Sequence, residues 1–371
     1  MLLALDQIRN RGKSEMDKMA NYKILILGAS YGSLLASKIM FGGHSVTLVC
    51  WPAEADLINS EGFRVRMPIR GQDPIVIDSR ELPGEVSAAD PDDVNPEQFD
   101  LIGLAMQEPQ YGTQGVRGLL ERIAASRVPC MSIMNMPPLP YIKRIKSVLS
   151  QTVEAAYTDP SVWSGFESGA LTLCSPDPQA VRPPDERPNI LQVTLPTNFK
   201  VARFDNEKSD AILERLERDI DAARFGTGNI EIPVKLRVHQ SIFVPLAKWS
   251  MLLAGNYRCV TQDGMRTAEQ AVHSNLDETR SVYEFVADVC VALGASREEL
   301  VTFTKYADAA KSLSRPASVA RALNSGAVNV ERADKLVQLL ARQKGMCHPV
   351  VDSIVELVDH RLNANRTHPK Q

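Results

Sequence analysis

Several signatures are missing from this 371-residue chain, and each absence removes a class of function. The six cysteines (Cys50, Cys130, Cys174, Cys259, Cys290 and Cys347) contain no C-x-x-C pair, which argues against a zinc site or a disulfide framework and fits free thiols in a reducing, cytoplasmic compartment. The histidines are dispersed without metal-ligand spacing, so no metal is expected. No G-x-S-x-G elbow supports a serine nucleophile. The longest apolar runs are too short to span a bilayer, or are interrupted by Pro, Lys or Asn, and no membrane contact is expected. The opening "MLLALDQIRN" is too short in apolar residues for the core of a secretory leader. There is no basic stripe: 42 Lys and Arg stand against 45 Asp and Glu, for a net charge of -3, so nucleic acid is an unexpected partner. No internal repeat is visible. What remains is a composition 44% apolar and 23% charged, enough to build a core and long enough for two domains.

After an N-terminal extension (residues 1–21), short apolar runs alternate with helical patterns. "YKILILGAS" predicts a buried strand, "GSLLASKIMFGG" a helix closed by glycines, and "HSVTLVC" a second strand. "RVRMPI" and "DPIVID" predict a hairpin or short inserted strands. "FDLIGLAM", "GTQGVRGLLERIAAS" and "VPCMSIMNM" continue as strand, helix, strand. That alternation predicts a parallel sheet covered by helices, an α/β Rossmann-type domain over residues 22–236. Further on, "ESGALTLCSP" and "NILQVTLPT" predict strands around the Pro-rich loop "DPQAVRPPDERP", and "SDAILERLERDIDAAR" a helix. Beyond Leu236 the pattern turns helical, with helices predicted over Val238–Ala254, Thr267–Leu293, Arg297–Ala310, Val330–Lys344 and His348–Arg361. Residues 237–371 are thus expected to form an all-helical C-terminal domain carrying the substrate site.

"ILILGASYGSLLA" sits at the first strand–helix turn, with Gly28 ending the strand and Gly32 opening the helix. Glycines there let backbone N–H groups, with Ser30 and Tyr31 among them, approach a pyrophosphate at the helix N-terminus. The spacing is G-x-x-x-G and not G-x-G-x-x-G, so a turn that needs glycine for packing alone stays open. At the end of the second strand, where an acid would bind the ribose 2′-hydroxyl or a base a 2′-phosphate, stand Cys50 and Trp51, with Glu54 three residues late. Trp51 has two readings, an adenine stack or a packed side chain. NAD and NADP are not distinguished by these residues.

"SIFVPLAKWSMLLAGN" poses a different question, because Lys248 is its one charge. Burial of an unpartnered ammonium is costly and lowers its pKa. Either the lysine snorkels to water or it is held in an apolar wall as a proton donor.

Together these pieces resemble the ketopantoate reductase family, within the wider group similar to 6-phosphogluconate dehydrogenase, from about Tyr22 to Leu362. "LGASYGSLLASKI" resembles that family's glycine loop, shortened by one residue. Trp51 stands where the family has an arginine that favours NADP. "DLIGLAMQEPQ" resembles the strand that follows, with Gln107 at a lysine position and Gln110 matching a glutamine. "IMNMPPL" places Asn135 on an asparagine beside nicotinamide and substrate. Lys248 matches the catalytic lysine, which the family follows with asparagines four and eight residues on; here those positions are Leu252 and Asn256. Such spacing puts them on roughly one helix face. In "SRPASVARALNSGAVNVERADKLV", Ser318 matches a substrate-gripping serine. Glu331 is the nearest carboxylate to the family's glutamate, although an ungapped match puts Asn329 there, and a first-turn acid also suits Glu331. Arg315 is either a carboxylate clamp or a surface arginine. His239 is placed at the start of the Lys248 helix.

The resemblance implies a reductase of a small 2-oxo acid or related carbonyl compound, using NADP with NAD not excluded. It implies a small-molecule substrate and a possible homodimer. Two rivals are kept: a catalytically degenerate protein that binds a dinucleotide or metabolite without turnover, and an opine-type dehydrogenase, against which the lysine argues.

Overall fold

The computed structural model describes residues 21–226 and 230–368. The expected extension lies, save for its last residue, outside the described residues. β1 (Lys23–Leu27) has four consecutive buried side chains, Ile24 to Leu27. Each contributes about 1.5–3 kcal/mol by leaving water, which makes this run the central strand. α1 (Ala29–Phe41) follows without a loop and stops at Gly42 and Gly43, the latter at φ 83°. β2 (Ser45–Val49) leads into α2 (Pro52–Glu61), which starts with proline in its first turn. β3 (Arg64–Met67) and β4 (Ile75–Asp78) form the expected antiparallel hairpin.

The chain then returns through β5 (Val86–Ala89), β6 (Leu101–Leu104), α3 (Gln114–Ser126), β7 (Cys130–Ile133), a one-turn α4 (Leu139–Ile142) and β8 (Leu171–Ser175). β9 (Gln179–Val181), β10 (Ile190–Leu195), β11 (Phe199–Ala202) and α5 (Glu207–Ala222) follow. The Asn206 side chain caps α5 by accepting from the Ser209 amide at 2.9 Å. A two-residue ribbon, β12 (Arg224–Phe225) with β13 (Ile230–Glu231), precedes β14 (Leu236–His239).

Eight strands form one sheet in the order β14-β11-β8-β7-β6-β1-β2-β5. All neighbours are parallel except β8 with β11. The stretch β5-β2-β1-β6-β7-β8 is the doubly wound order whose direction reverses beside β1, where open α/β sheets bind ligands at the carboxyl ends of their strands. A second sheet, β4-β3-β10-β9, packs on the α1 side and shares its core, which includes Phe63, Val65, Leu191 and Val193. The opposite face of the main sheet is continuous with the core of the helices beyond β14: Leu25, Ile102 and Leu104 belong to one cluster with Trp249, Tyr257, Val282 and Leu336.

The predicted α/β sheet with a helical C-terminal region is therefore present, and several element boundaries differ. β5 and β11 were not anticipated, being four residues each, with Ala88 the one buried residue of β5. The helix expected over Val238–Ala254 starts ten residues late. Leu236–His239 is the sheet's edge strand, and His239 closes it, so this histidine does not head the lysine helix. Pro245 opens a 3-10 turn (Val244–Ala247), and only then does α6 (Lys248–Met251) begin. α6 runs directly into a π turn, Leu252–Asn256, and a 3-10 turn, Tyr257–Cys259. The long helix expected over Thr267–Leu293 breaks into α7 (Ala268–His273) and α8 (Leu276–Leu293), because Asn275 caps α8 by accepting from the Glu278 amide at 3.1 Å. α9 (Phe303–Ala310), α10 (Ser318–Asn324), α11 (Ala333–Gln343) and α12 (Pro349–Thr367) complete the chain. No described helix is long and apolar enough to cross a membrane.

Candidate active site

The carboxyl ends of β1, β6, β7 and β8 lie along one edge of the parallel sheet, and the loops leaving them carry most of the candidate residues. At β1, Gly28 is the N-cap of α1 and adopts φ 100°. A side chain there would meet the Ala105 carbonyl and Met106 at 3.0 Å, so the glycine serves both the left-handed turn and the close approach of β6. α1 has no side-chain cap and no acidic residue in its first turn. Its leading amides, those of Ala29, Ser30 and Tyr31, are thus free to receive an anion.

Gly32 has a different place from the one expected. The helix opens at Ala29, which puts Gly32 inside the first turn and facing β1. An added Cβ would stand 2.7 Å from Ile26 Cγ2. Gly28 therefore makes the turn and Gly32 the tight helix–strand packing, with ordinary side chains between them. Tyr31 turns inward: its hydroxyl donates to the Pro178 carbonyl at 2.6 Å and its ring packs edge-on against Phe199. At the end of β2, Trp51 is the N-cap of α2 and is 79% exposed, so it is not a core side chain. Glu54 is paired instead with Arg182, just past β9.

Further along the edge, six candidate positions converge. Gln107 after β6, Asn135 after β7, Leu252 and Asn256 in the π turn, Ser318 at the start of α10 and Glu331 before α11 line one cavity of about 20 Å³. That volume admits about one water. Asn135 Nδ2 donates to Glu331 Oε2 at 3.3 Å, and the Glu108 amide donates to Oε1 at 3.4 Å. The other amide atom, Asn135 Oδ1, is buried without a hydrogen bond among the described residues. Tyr257 fixes the backbone beside the carboxylate: its hydroxyl donates to the Glu331 carbonyl and accepts from the Ala333 amide at 2.9 Å. Burial pushes the Glu331 carboxyl up to about 7, against the hydrogen bonds from Asn135 and Glu108 that favour its charged form.

That shift has a stability consequence. Between the ordinary carboxylate range and about 7 the folded protein holds a proton on Glu331 that the unfolded chain has released. The contribution is complete below the unfolded pKa and is lost as pH rises through about 7. Glu331→Gln should flatten the decline of unfolding free energy between pH 5 and pH 7.5, measured by urea denaturation; an unchanged slope would assign the decline to other groups.

Lys248 heads α6 with its side chain 18% exposed, too enclosed for a snorkelling surface lysine. Burial lowers its pKa, opposed chiefly by Asp177 and then Glu331. Its ammonium donates to the Pro176 carbonyl, in the loop leaving β8, and lies 3.8 Å from Asp177 Oδ1. No hydrogen bond joins it to Asn256, which the spacing put on the same helix face, or to Asn135, which the resemblance put beside the substrate.

Of the remaining candidates, Gln110 lies outside the cavity and accepts the Gln107 amide at 2.9 Å. Arg315 is exposed and not part of the cavity. Asn329 is turned away to Arg366, which donates to its Oδ1 at 3.0 Å, leaving Glu331 as the carboxylate of this site. His239 is half-buried on the sheet edge, its Nε2 without a hydrogen bond among the described residues. Sequence reasoning missed Glu108, Tyr257 and Asp177. Glu108 is 1% exposed and accepts from the Thr158 amide and hydroxyl at 3.0 and 2.9 Å; nothing in "QEPQY" marks it, because its partner is fifty residues away. A larger cavity, about 490 Å³, lies at the opposite end of the sheet, between Arg127, Glu167 and Asp205, and contains none of these groups.

No family model matches the chain, and no curated protein matches it in sequence. Solved structures do match its fold. A probable 2-dehydropantoate 2-reductase from Bacillus subtilis is 15% identical, covering 91% of this chain and 99% of its own, with a TM-score of 0.58. A ketopantoate reductase-type structure from Ralstonia solanacearum MolK2 is 13% identical, with 94% and 99% covered and a TM-score of 0.62. A dimeric ketopantoate reductase from Staphylococcus aureus is 11% identical, with 92% and 99% covered and a TM-score of 0.60. The chain thus has the ketopantoate reductase fold over nearly its whole length.

Proposed function

We propose that this protein is a nicotinamide-dinucleotide-dependent reductase of a small 2-oxo acid or related carbonyl compound, of the 2-dehydropantoate 2-reductase type. The observation that carries the reading is the convergence of Gln107, Asn135, Asn256, Ser318 and Glu331, from five separate segments, on one cavity whose carboxylate senses the charge of Lys248. The dinucleotide fits the residues present: a left-handed Gly28, uncapped α1 amides, an exposed Trp51 at the ribose end, and an unpartnered Asn135 Oδ1 at the other. When bound, a reduced nicotinamide supplies the hydride that goes to the carbonyl carbon. Lys248 gives a proton from Nζ to the carbonyl oxygen and is left as a neutral amine, a transfer that its lowered pKa favours near neutrality. Asn256 and Ser318 offer donors to the substrate's oxygens, and Glu331 accepts from a substrate hydroxyl. The cavity is too small for such a substrate, so entry requires it to widen. NADP in preference to NAD, and pairing of two copies, belong to the same proposal.

A second reading, binding without turnover, is favoured by one observation: Lys248 already donates to its own chain at Pro176. A thermal-shift titration with NADPH and NADH, joined to a screen of 2-oxo acids for NADPH oxidation, separates the two. A dinucleotide at a hundred times its dissociation constant should stabilise the fold by about 2.7 kcal/mol. Stabilisation without oxidation of any acid favours the binding protein; no shift with either nucleotide sinks the reductase reading and leaves only the binding of a metabolite.

A further inference from the structure

The loop that leaves β8, Ser175-Pro176-Asp177-Pro178, touches both halves of the proposed machinery. Pro178 receives the hydroxyl of Tyr31, from the first turn of α1. Pro176 receives the ammonium of Lys248. Between them, Asp177 is held from three directions. Its amide donates to the Ser175 carbonyl at 2.9 Å, which tightens the turn. The Ser175 hydroxyl donates to Oδ1. Lys200 Nζ stands 3.0 Å from Oδ2. Lys200 is well placed for this because it lies directly opposite Ser175 in the antiparallel pairing of β11 with β8. The Asp177 side chain is 15% exposed, so the carboxylate is set rather than floating.

We propose that Asp177 is a positioning residue for Lys248: its carboxylate, fixed by Ser175 and Lys200, is the counter-ion that fixes where the lysine's ammonium stands and retains its charge in an apolar wall. This deepens the reductase reading and rests on it for its consequence in catalysis, but the ion pair itself is testable without turnover. The groups whose charge reaches Lys248 are Asp177 from the β8 loop, Glu331 from before α11, Lys200 from β11 and Cys174 from β8. Two of these give opposite expectations. Removing the charge of Asp177 leaves Lys248 facing Lys200 with Glu331 as the remaining carboxylate. Removing the charge of Lys200 takes away a repulsion and leaves all of Asp177 for Lys248.

The test is a titration of reductively ¹³C-methylated lysines by NMR, with the Lys248 signal identified by its loss in Lys248→Arg. Asp177→Asn should move the Lys248 midpoint to lower pH, and Lys200→Met should move it to higher pH. A merely structural role for Asp177 would leave the Lys248 midpoint unmoved in Asp177→Asn, and that result overturns the inference whatever Lys200→Met does. Turnover supplies the second arm. On an active 2-oxo acid, Asp177→Asn should lower kcat on the alkaline side of the pH profile, with the alkaline limb displaced to lower pH in the same direction as the Lys248 midpoint. The KM for NADPH should hardly move, and Asp177→Glu should recover part of the rate. If the midpoints move as stated while Lys248→Ala turns over like the parent, the ion pair stands and the lysine's role as proton donor fails; if Lys248→Ala is inactive and Asp177→Asn keeps the parental profile, the proton-donor role stands and Asp177 is not its positioning residue. Circular dichroism melting keeps unfolding apart from both outcomes.

Discussion

Lys248→Ala is expected to lower turnover of any active 2-oxo acid by about two to four orders of magnitude, the span typical of losing a general acid. Dinucleotide affinity should change little, because the phosphates are assigned to the α1 amides on the far side of the β8 loop. Lys248→Arg should not restore the rate, since a guanidinium stays protonated near neutrality and is too weak an acid to hand its proton over. The measurements are steady-state kcat for the two variants and the dissociation constant for NADPH. Parental rates in Lys248→Ala would make the lysine a tether for Pro176 and nothing more.

The second large effect concerns stability. Arg332 follows Glu331 and is buried with Asp334, which it grips at two atoms: Nε to Oδ1 at 3.0 Å and Nη2 to Oδ2 at 2.9 Å. Asp334 is fully enclosed. Arg332 also reaches Asp359 of α12, so the pair ties the turn carrying Glu331 to the last helix. Asp334→Ala leaves a buried guanidinium with Asp359 and the Val355 carbonyl but without its enclosed carboxylate, and should cost about 3–5 kcal/mol, read as a fall in the urea midpoint. Replacing Arg332 and Asp334 together by leucine and methionine should recover much of that loss, because no lone charge is then buried. A loss below about 1 kcal/mol for Asp334→Ala would class the pair with surface ion pairs.

Legibility from sequence divides along physical lines. The central strands were legible because Ile24–Leu27 and Leu101–Leu104 are buried on both sides and so are apolar without alternation. β5 and β14 were not, since an edge strand is stabilised by its neighbour's backbone and needs no hydrophobic run. Lys248 stood out because one charge among apolar residues violates the local pattern. Its actual partners did not, since Pro176 and Asp177 are about seventy residues upstream and are brought close only by the pairing of β8 with β11. Glu331 and Asn329 were equally plausible on paper; the structure separates them through Tyr257, whose hydroxyl holds the backbone on either side of Arg332.

The π turn at Leu252–Asn256 ties the site to a count of residues. Such a turn amounts to one residue more than an α-helix would use between the same two ends. Lys248 lies before the extra residue, while Asn256 and Tyr257 lie after it. Deleting a single apolar residue from "LLA" would leave the composition almost untouched and favour a regular helix. Because the deleted residue is the extra one, Asn256 and Tyr257 would keep their facing toward the cavity and Glu331, whereas a further deletion, from a helix already regular, would rotate them by roughly 100°. Chains compared across this segment without a gap at the extra residue will therefore misassign which asparagine faces the cavity.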